Sequence, residues 1–209
     1  MANKSKGKGI DDLFKTYHLR ITFEDEILAT CGTNEYFVTA MAKPDEAEAI
    51  KRTADEYEGI EEEDRPMTVF PRDEEGNPFI YDYLIKGFIK NAAKAFNNIG
   101  GDHKLTSYKS KIDGGVFIEP RQLTLELPEG KELGLCARPL RASTMQGERV
   151  TIAKSESAPI GTSIECWIKV LNPEINKKIF EYLDYGFYNG LGQWHNAGKG
   201  KFSYEILED

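Results

Sequence analysis

The stretch NPEINKKIFEYLDYGFYNGLGQWHNAGKGKFSYEI, residues 172–206, holds three elements in one run. Asn172 followed by Pro173 reads as a helix start, because an Asn side chain accepts from the orphan N–H groups of the first turn and proline's fixed φ suits the first helical position. Ile175, Ile179, Phe180, Leu183 and Phe187 recur at three- and four-residue steps, as on a helix with one buried side. From Gly186 to Lys201 the chain carries glycines at 186, 190, 192, 198 and 200, the aromatics Phe187, Tyr188 and Trp194, and Lys199 and Lys201, without an acid. Phe202-Ser203-Tyr204-Glu205-Ile206 then reads as a closing strand.

A helix that returns through a loop to a strand needs a sheet, and the preceding chain supplies one. Tyr17, Leu19, Ile21 and Phe23 alternate with polar neighbours, the period of a half-buried strand, with His18 on the polar side. Leu84, Ile85, Phe88, Ile89, Ala92, Ala93 and Phe96 predict a helix over about 81–97. Its other side carries Lys86, Lys90 and Lys94 at steps of four. Residues 115–171 read as β-structure: Gln122–Leu127 turns at Pro128-Glu129-Gly130 into Leu133–Arg138, Gln146-Gly147 is a hairpin tip, and 163–171 forms another strand. The order strand, helix, strand, strand, helix, strand predicts an α+β, ferredoxin-like (RRM-like) βαββαβ core. Two insertions interrupt it: an acidic one after the first strand, about 24–80, and a β-hairpin at 138–158. Within the first, 44–58 predicts an acidic-faced helix, 61–64 a solvated run and 73–78 a turn. Residues 1–15 read as a flexible basic arm and 16–209 as one domain.

Charge is segregated along the chain. The net value of -8 combines +3 over residues 1–20, -13 over 21–82 and +2 over 83–209. Within the last part, residues 83–111 hold six lysines and one acid, and 136–154 hold Arg138, Arg141, Arg149 and Lys154 against Glu148. Such clusters create local potentials that the sum hides. The 40% of hydrophobic residues exclude a disordered chain, and no run approaches the roughly 18 apolar residues that span a bilayer. The expectation is a soluble, cytoplasmic protein with no membrane partner. Cys31, Cys136 and Cys166 lack CxxC spacing, so neither a zinc knuckle nor a disulfide framework is expected. Walker-type loops and HExxH are absent, and Asp73, Glu74, Glu75 and Asn77 miss the spacing of a calcium loop. The reading therefore includes no metal and no cofactor.

The glycine-rich Gly190-Leu191-Gly192-Gln193-Trp194-His195-Asn196-Ala197-Gly198-Lys199-Gly200-Lys201-Phe202 resembles the C-terminal glycine-rich loop of the RAMP superfamily, RRM-like proteins that form CRISPR effector backbones and process CRISPR RNA. Tyr17-His18-Leu19-Arg20-Ile21-Thr22-Phe23 is similar to that family's first strand, and Tyr83-Leu84-Ile85-Lys86-Gly87-Phe88-Ile89-Lys90 to its first helix. Nearly the whole chain, including Thr68-Val69-Phe70-Pro71-Arg72-Asp73 and Arg138-Pro139-Leu140-Arg141-Ala142, resembles small RAMP-like proteins of phages and prophages of gut Firmicutes. The resemblance implies a bacterial host cell, a habit of binding single-stranded RNA, and a protruding hairpin, or thumb, formed here by residues 138–158. The acidic insertion departs from the basic composition of typical backbone subunits.

Candidate contacts to single-stranded RNA or DNA are Lys86, Lys90 and Lys94 on the helix, Arg138, Arg141 and Arg149 on the thumb, and Gly192, Trp194, His195, Gly198, Lys199 and Lys201 in the loop. Glycines let backbone N–H groups approach phosphates, lysines neutralise them and an indole stacks on bases. The loop fits equally a tight turn whose Trp194 folds back on the core. Of the three histidines, His195 is the one candidate general base, and none stands in the loop after the first strand or in the first helix, where RNA-processing relatives carry theirs. The leading expectation is a non-enzymatic binder of single-stranded nucleic acid. The alternatives are a protein–protein device, such as an inhibitor of a host complex or a self-assembling homo-oligomer, with the acid-rich residues 55–64 mimicking phosphates, and a metal-independent RNA endonuclease.

Overall fold

The computed structural model describes residues 13–32, 67–144 and 147–207, with backbone alone for 139–151. The first twelve residues of the basic arm, the expected helix at 44–58 and the acidic run at 61–64 lie outside these residues.

The protein is a mixed α+β fold with several largely antiparallel sheets and few helices. Strand β1 (Lys15–Phe23) is followed by the short β2 (Ile27–Leu28), β3 (Cys31–Gly32), β4 (Met67–Val69) and β5 (Phe79–Tyr81). Helix α1 (Asp82–Ile99) and helix α2 (Tyr108–Gly115) lead to β6 (Val116–Glu119) and β7 (Gln122–Thr124). A long hairpin, β8 (Gly134–Thr144) and β9 (Gly147–Ala158), precedes β10 (Ser163–Val170). Two short helices, α3 (Pro173–Asn176) and α4 (Ile179–Asp184), lead through the glycine-rich loop to β11 (Phe202–Ile206).

The main sheet has the order β11-β1-β10-β6, antiparallel throughout, with Leu19 opposite Cys166 on one side and Ile206 on the other. Alternation decides its faces. Leu19, Ile21, Phe23, Ile164, Cys166, Ile168, Val170, Val116 and Phe202 point into one core with Ile85, Phe88, Ile89, Ala92 and Ala93 of α1. Phe88 meets Phe202 edge-on at 5.0 Å between ring centres, and Phe96 lies 5.7 Å from Tyr182 of α4. Burying each large aliphatic or aromatic side chain here contributes roughly 1.5–3 kcal/mol, so this layer dominates the fold's stability.

Three local readings differ from the sequence expectation. Gln122–Thr124 does not turn back on Leu133–Arg138; it pairs with Phe79–Tyr81, while Gly134 onward pairs with β9. The left-handed Gly130 lies between these strands, and their partners lie in different sheets. Residues 173–187 form two short helices and a 3-10 turn rather than one helix, with Lys177 and Lys178 between the helices and the latter's φ widened to -117. Asn172 Oδ1 does cap the first, accepting from Glu174 N at 2.9 Å and Ile175 N at 3.3 Å. Helix α2 has only Ile112 and Gly115 buried, too weak an apolar stripe to read from sequence.

The hairpin belongs to a second sheet of order β2-β9-β4-β3, with β8 on β9. Thr68 Oγ1 donates to Ser155 Oγ at 2.8 Å, and Arg72 meets Glu156 at 2.5 Å. Both described ends of the first insertion are therefore rooted at the hairpin's base. Among the described residues, no helix is long and apolar enough to cross a membrane, and no cluster of His, Cys, Asp and Glu could hold a metal ion.

Candidate nucleic-acid interface

The glycine-rich loop is a closed knot. Leu191 N donates to Gly200 O at 2.8 Å and Gly200 N to Glu26 O at 2.9 Å, so the loop pairs with itself and with the β1–β2 turn. A Cβ on Gly190 would collide with the Gly200 backbone, and one on Gly200, whose φ is +66, with the Leu191 carbonyl. Each of these two glycines is required by the backbone of the facing arm of the loop. Further amides of the loop, those of Ala197, Gly198 and Lys199, also donate to backbone carbonyls.

Its side chains are largely engaged too. Lys199 Nζ donates to Glu26 Oε1 at 2.6 Å and Asp25 Oδ1 at 3.2 Å, and the Glu26 hydrogen bond foremost raises the lysine's pKa. Trp194 sits at φ +60 and is 37% exposed. The guanidinium of Arg138, buried on β8, lies 4.4 Å from the indole centre and donates to Gln193 Oε1 at 2.6 Å and Ser155 Oγ at 3.2 Å. Arg138 and Trp194 thus fasten the hairpin to the loop. Arg141 and Arg149 stand farther along the hairpin, opposite Val150 and Ala142. Lys201 makes no ion pair with a described residue, and its Cε would be the nearest atom, at 3.4 Å, to a Cβ on Gly198.

Helix α1 distributes its three lysines unequally. A step of four residues overshoots a full turn by about 40°, so the row from Lys86 to Lys94 swings through about 80°. Lys86 Nζ donates to Asp113 O at 2.9 Å and lies 5.1 Å over the Phe117 ring. Lys90 pairs with the Asp113 carboxylate at the end of α2. That hydrogen bond, aided by the Lys86 charge, holds the Asp113 carboxyl below its ordinary range. Lys94, exposed one turn on, makes no ion pair with a described residue.

A cavity of about 530 Å³ opens between α1, the first turn of α2 and the loop. Lys90, Lys94, Lys109 and His195 line it with Tyr83 and Tyr108, and among the described residues no carboxylate does. His195 Nδ1 lies 2.9 Å from Gly192 O; in the tautomer that donates this hydrogen bond, Nε2 remains as the ring's second polar atom. Of the residues singled out from sequence, the cavity gathers Lys90, Lys94, Gly192 and His195. Arg138, Trp194 and Lys199 form the knot behind it, and Lys86, Arg141 and Arg149 lie elsewhere. Tyr83, Tyr108 and Lys109 were not singled out, although Tyr83, Lys90 and Lys94 share one side of α1 at seven- and four-residue steps.

No family model matches the sequence, and no curated protein matches it. Among solved structures, the fold is similar to a chain of the type III-B Cmr-beta complex bound to cognate target RNA, with a TM-score of 0.55 at 11% identity over 95% of this chain. This chain spans 63% of the length of that one. A chain of a type IV-B CRISPR complex aligns over 92% of this chain and 90% of its own, at 12% identity and a TM-score of 0.48. At such identities the first likeness is one of fold alone, that of a mixed α+β protein.

Proposed function

We propose that this chain is a non-enzymatic binder of single-stranded nucleic acid, RNA or single-stranded DNA, working in the cytoplasm of a bacterial host cell as a RAMP-type protein of phage or prophage origin. The antiparallel order β11-β1-β10-β6 supports a ferredoxin-like core, since it matches fourth, first, third and second strands of a βαββαβ unit. The observation that carries the proposal is the cavity, lined by no carboxylate among the described residues, where Lys94 and Lys109 lack an ion pair with any described residue beside a glycine-rich loop. Unpaired cations in a concave site attract phosphate, and nearby tyrosines offer faces for bases.

Fluorescence anisotropy with labelled single-stranded oligonucleotides at low salt tests this. Binding weakens steeply with salt, and Lys94→Ala with Lys109→Ala lowers affinity roughly ten- to a hundredfold while flattening the salt slope by about 1.4. Unchanged affinity and slope in that double variant would move the site elsewhere. RNA incubated with the protein in EDTA stays intact; cleavage lost in His195→Ala would make the protein an endonuclease instead.

A second reading, contact with another protein subunit, is favoured by one observation. Strand β11 is the outer strand of the main sheet; Ile206 at its end is 54% exposed, and Phe187 and Tyr188 near it are 57% and 74% exposed. An uncovered strand edge flanked by apolar side chains is a ready surface for pairing.

A further inference from the structure

We infer that the cavity beside α1 takes one nucleotide unit, its phosphate on Lys94 and Lys109 and its base against the tyrosine-lined apolar wall. The inference rests on the nucleic-acid reading above and specifies what occupies the site. Three observations separate a nucleotide pocket from a plain anion patch.

The first is size. About 530 Å³ falls within the roughly 300–1,000 Å³ of cavities that hold small ligands, and is too little for a paired stem. The second is mixed chemistry. Tyr83, Leu84, Phe88, Tyr108 and Leu191 supply apolar and aromatic surface, while three lysines and His195 supply cationic or donor groups. A groove that tracks only a phosphate backbone needs no apolar floor; a ligand with an anionic end and a flat heteroaromatic end needs both.

The third observation is Gly87. It sits inside α1 in ordinary helical geometry, where glycine is less favourable than alanine. Packing does not demand it, because a Cβ there would meet nothing within 4 Å. Yet Gly87 lines the cavity between Tyr83 and the Lys90–Lys94 side of the helix. Its missing side chain keeps the wall flat where a base would lie against the helix. The helix forgoes stability at that position, and open volume at the site is what it gains.

The unit could come from a free nucleoside monophosphate, from a phosphorylated strand end, or from a nucleotide splayed out within a strand. The chemistry is shared, and the arms of one experiment distinguish the sources. The full chain is titrated calorimetrically with nucleoside monophosphates, with the matching nucleosides, with inorganic phosphate, and with short oligonucleotides bearing a 5′-phosphate, a 3′-phosphate or neither.

A monophosphate is expected to bind at least about tenfold more tightly than either its nucleoside or inorganic phosphate. Gly87→Leu, which fills the wall, removes monophosphate binding while the protein still unfolds cooperatively, and Gly87→Ala raises the unfolding temperature. A preference for one phosphorylated end assigns the site to a strand terminus, and indifference to end groups assigns it to an internal nucleotide. Equal affinity for inorganic phosphate and monophosphate, or a folded Gly87→Leu protein that binds monophosphate like the wild type, would overturn the inference. Oligonucleotide binding that persists in either case leaves the broader reading standing, whereas monophosphate binding with no oligonucleotide binding by the wild type removes that reading and assigns the site to a free nucleotide.

Discussion

The solvent side of the main sheet and the cavity beside α1 both display basic groups, but they treat them differently. On the sheet, Arg20 pairs with Glu165 and, at 3.3 Å, with Glu205, and Lys169 pairs with Glu119 at 2.6 Å. The ring of His18 stacks on Trp167 with centres 4.3 Å apart. Along the cavity, Lys90 has a carboxylate, while Lys94 and Lys109 have none among the described residues. Counting cations would rank the two surfaces alike. Counting their partners separates them, because a cation already facing a carboxylate gives little to an incoming phosphate.

The comparison breaks most severely if the cavity wall is removed while the sheet is left alone. Gly200→Ala places a Cβ into the Leu191 carbonyl at a left-handed φ, and is expected to lower stability by about 3 kcal/mol or more, read by urea unfolding. A loss below about 1 kcal/mol would mean that the loop repacks freely. Next in size is the contrast between surfaces. Arg20→Ala with Lys169→Ala should leave oligonucleotide affinity within about twofold, against the tenfold or greater loss at Lys94 and Lys109. A comparable loss on the sheet would erase the distinction drawn here.

The smallest effect concerns Asp113. Its folded-state pKa lies below its unfolded value, so its tie to Lys90 adds stability above the ordinary carboxylate range and loses it as pH falls through the depressed value. Asp113→Asn removes that dependence. In unfolding measured down an acid series, the variant and wild-type curves should converge at low pH, and parallel curves throughout would refute the pairing.

Much of the frame is legible in the sequence. The alternation of Tyr17 to Phe23 and the apolar repeat of Leu84 to Phe96 mark β1 and α1, because a strand and a helix each bury one side and print their period in the chain. The Asn172-Pro173 cap and the tightness of the glycine-rich loop were equally local. What stayed hidden depends on partners distant in sequence. Gln122–Thr124 looked like the first arm of a hairpin with Leu133–Arg138, yet its partner Phe79–Tyr81 lies some forty residues earlier. Lys199 read as a phosphate ligand because nothing local reveals that Asp25 and Glu26 fold against it, 174 and 173 residues away. Lys109 went unremarked as a site residue because α2 carries too short an apolar stripe to announce itself.

One contact connects these regions in a further way. Arg138 belongs to the hairpin, but its guanidinium is held by Gln193 and Trp194, the residues between Gly192 and His195 of the cavity wall. Hairpin and wall therefore share one anchor: the side chain that closes the base of the hairpin is also the one that braces the back of the cavity.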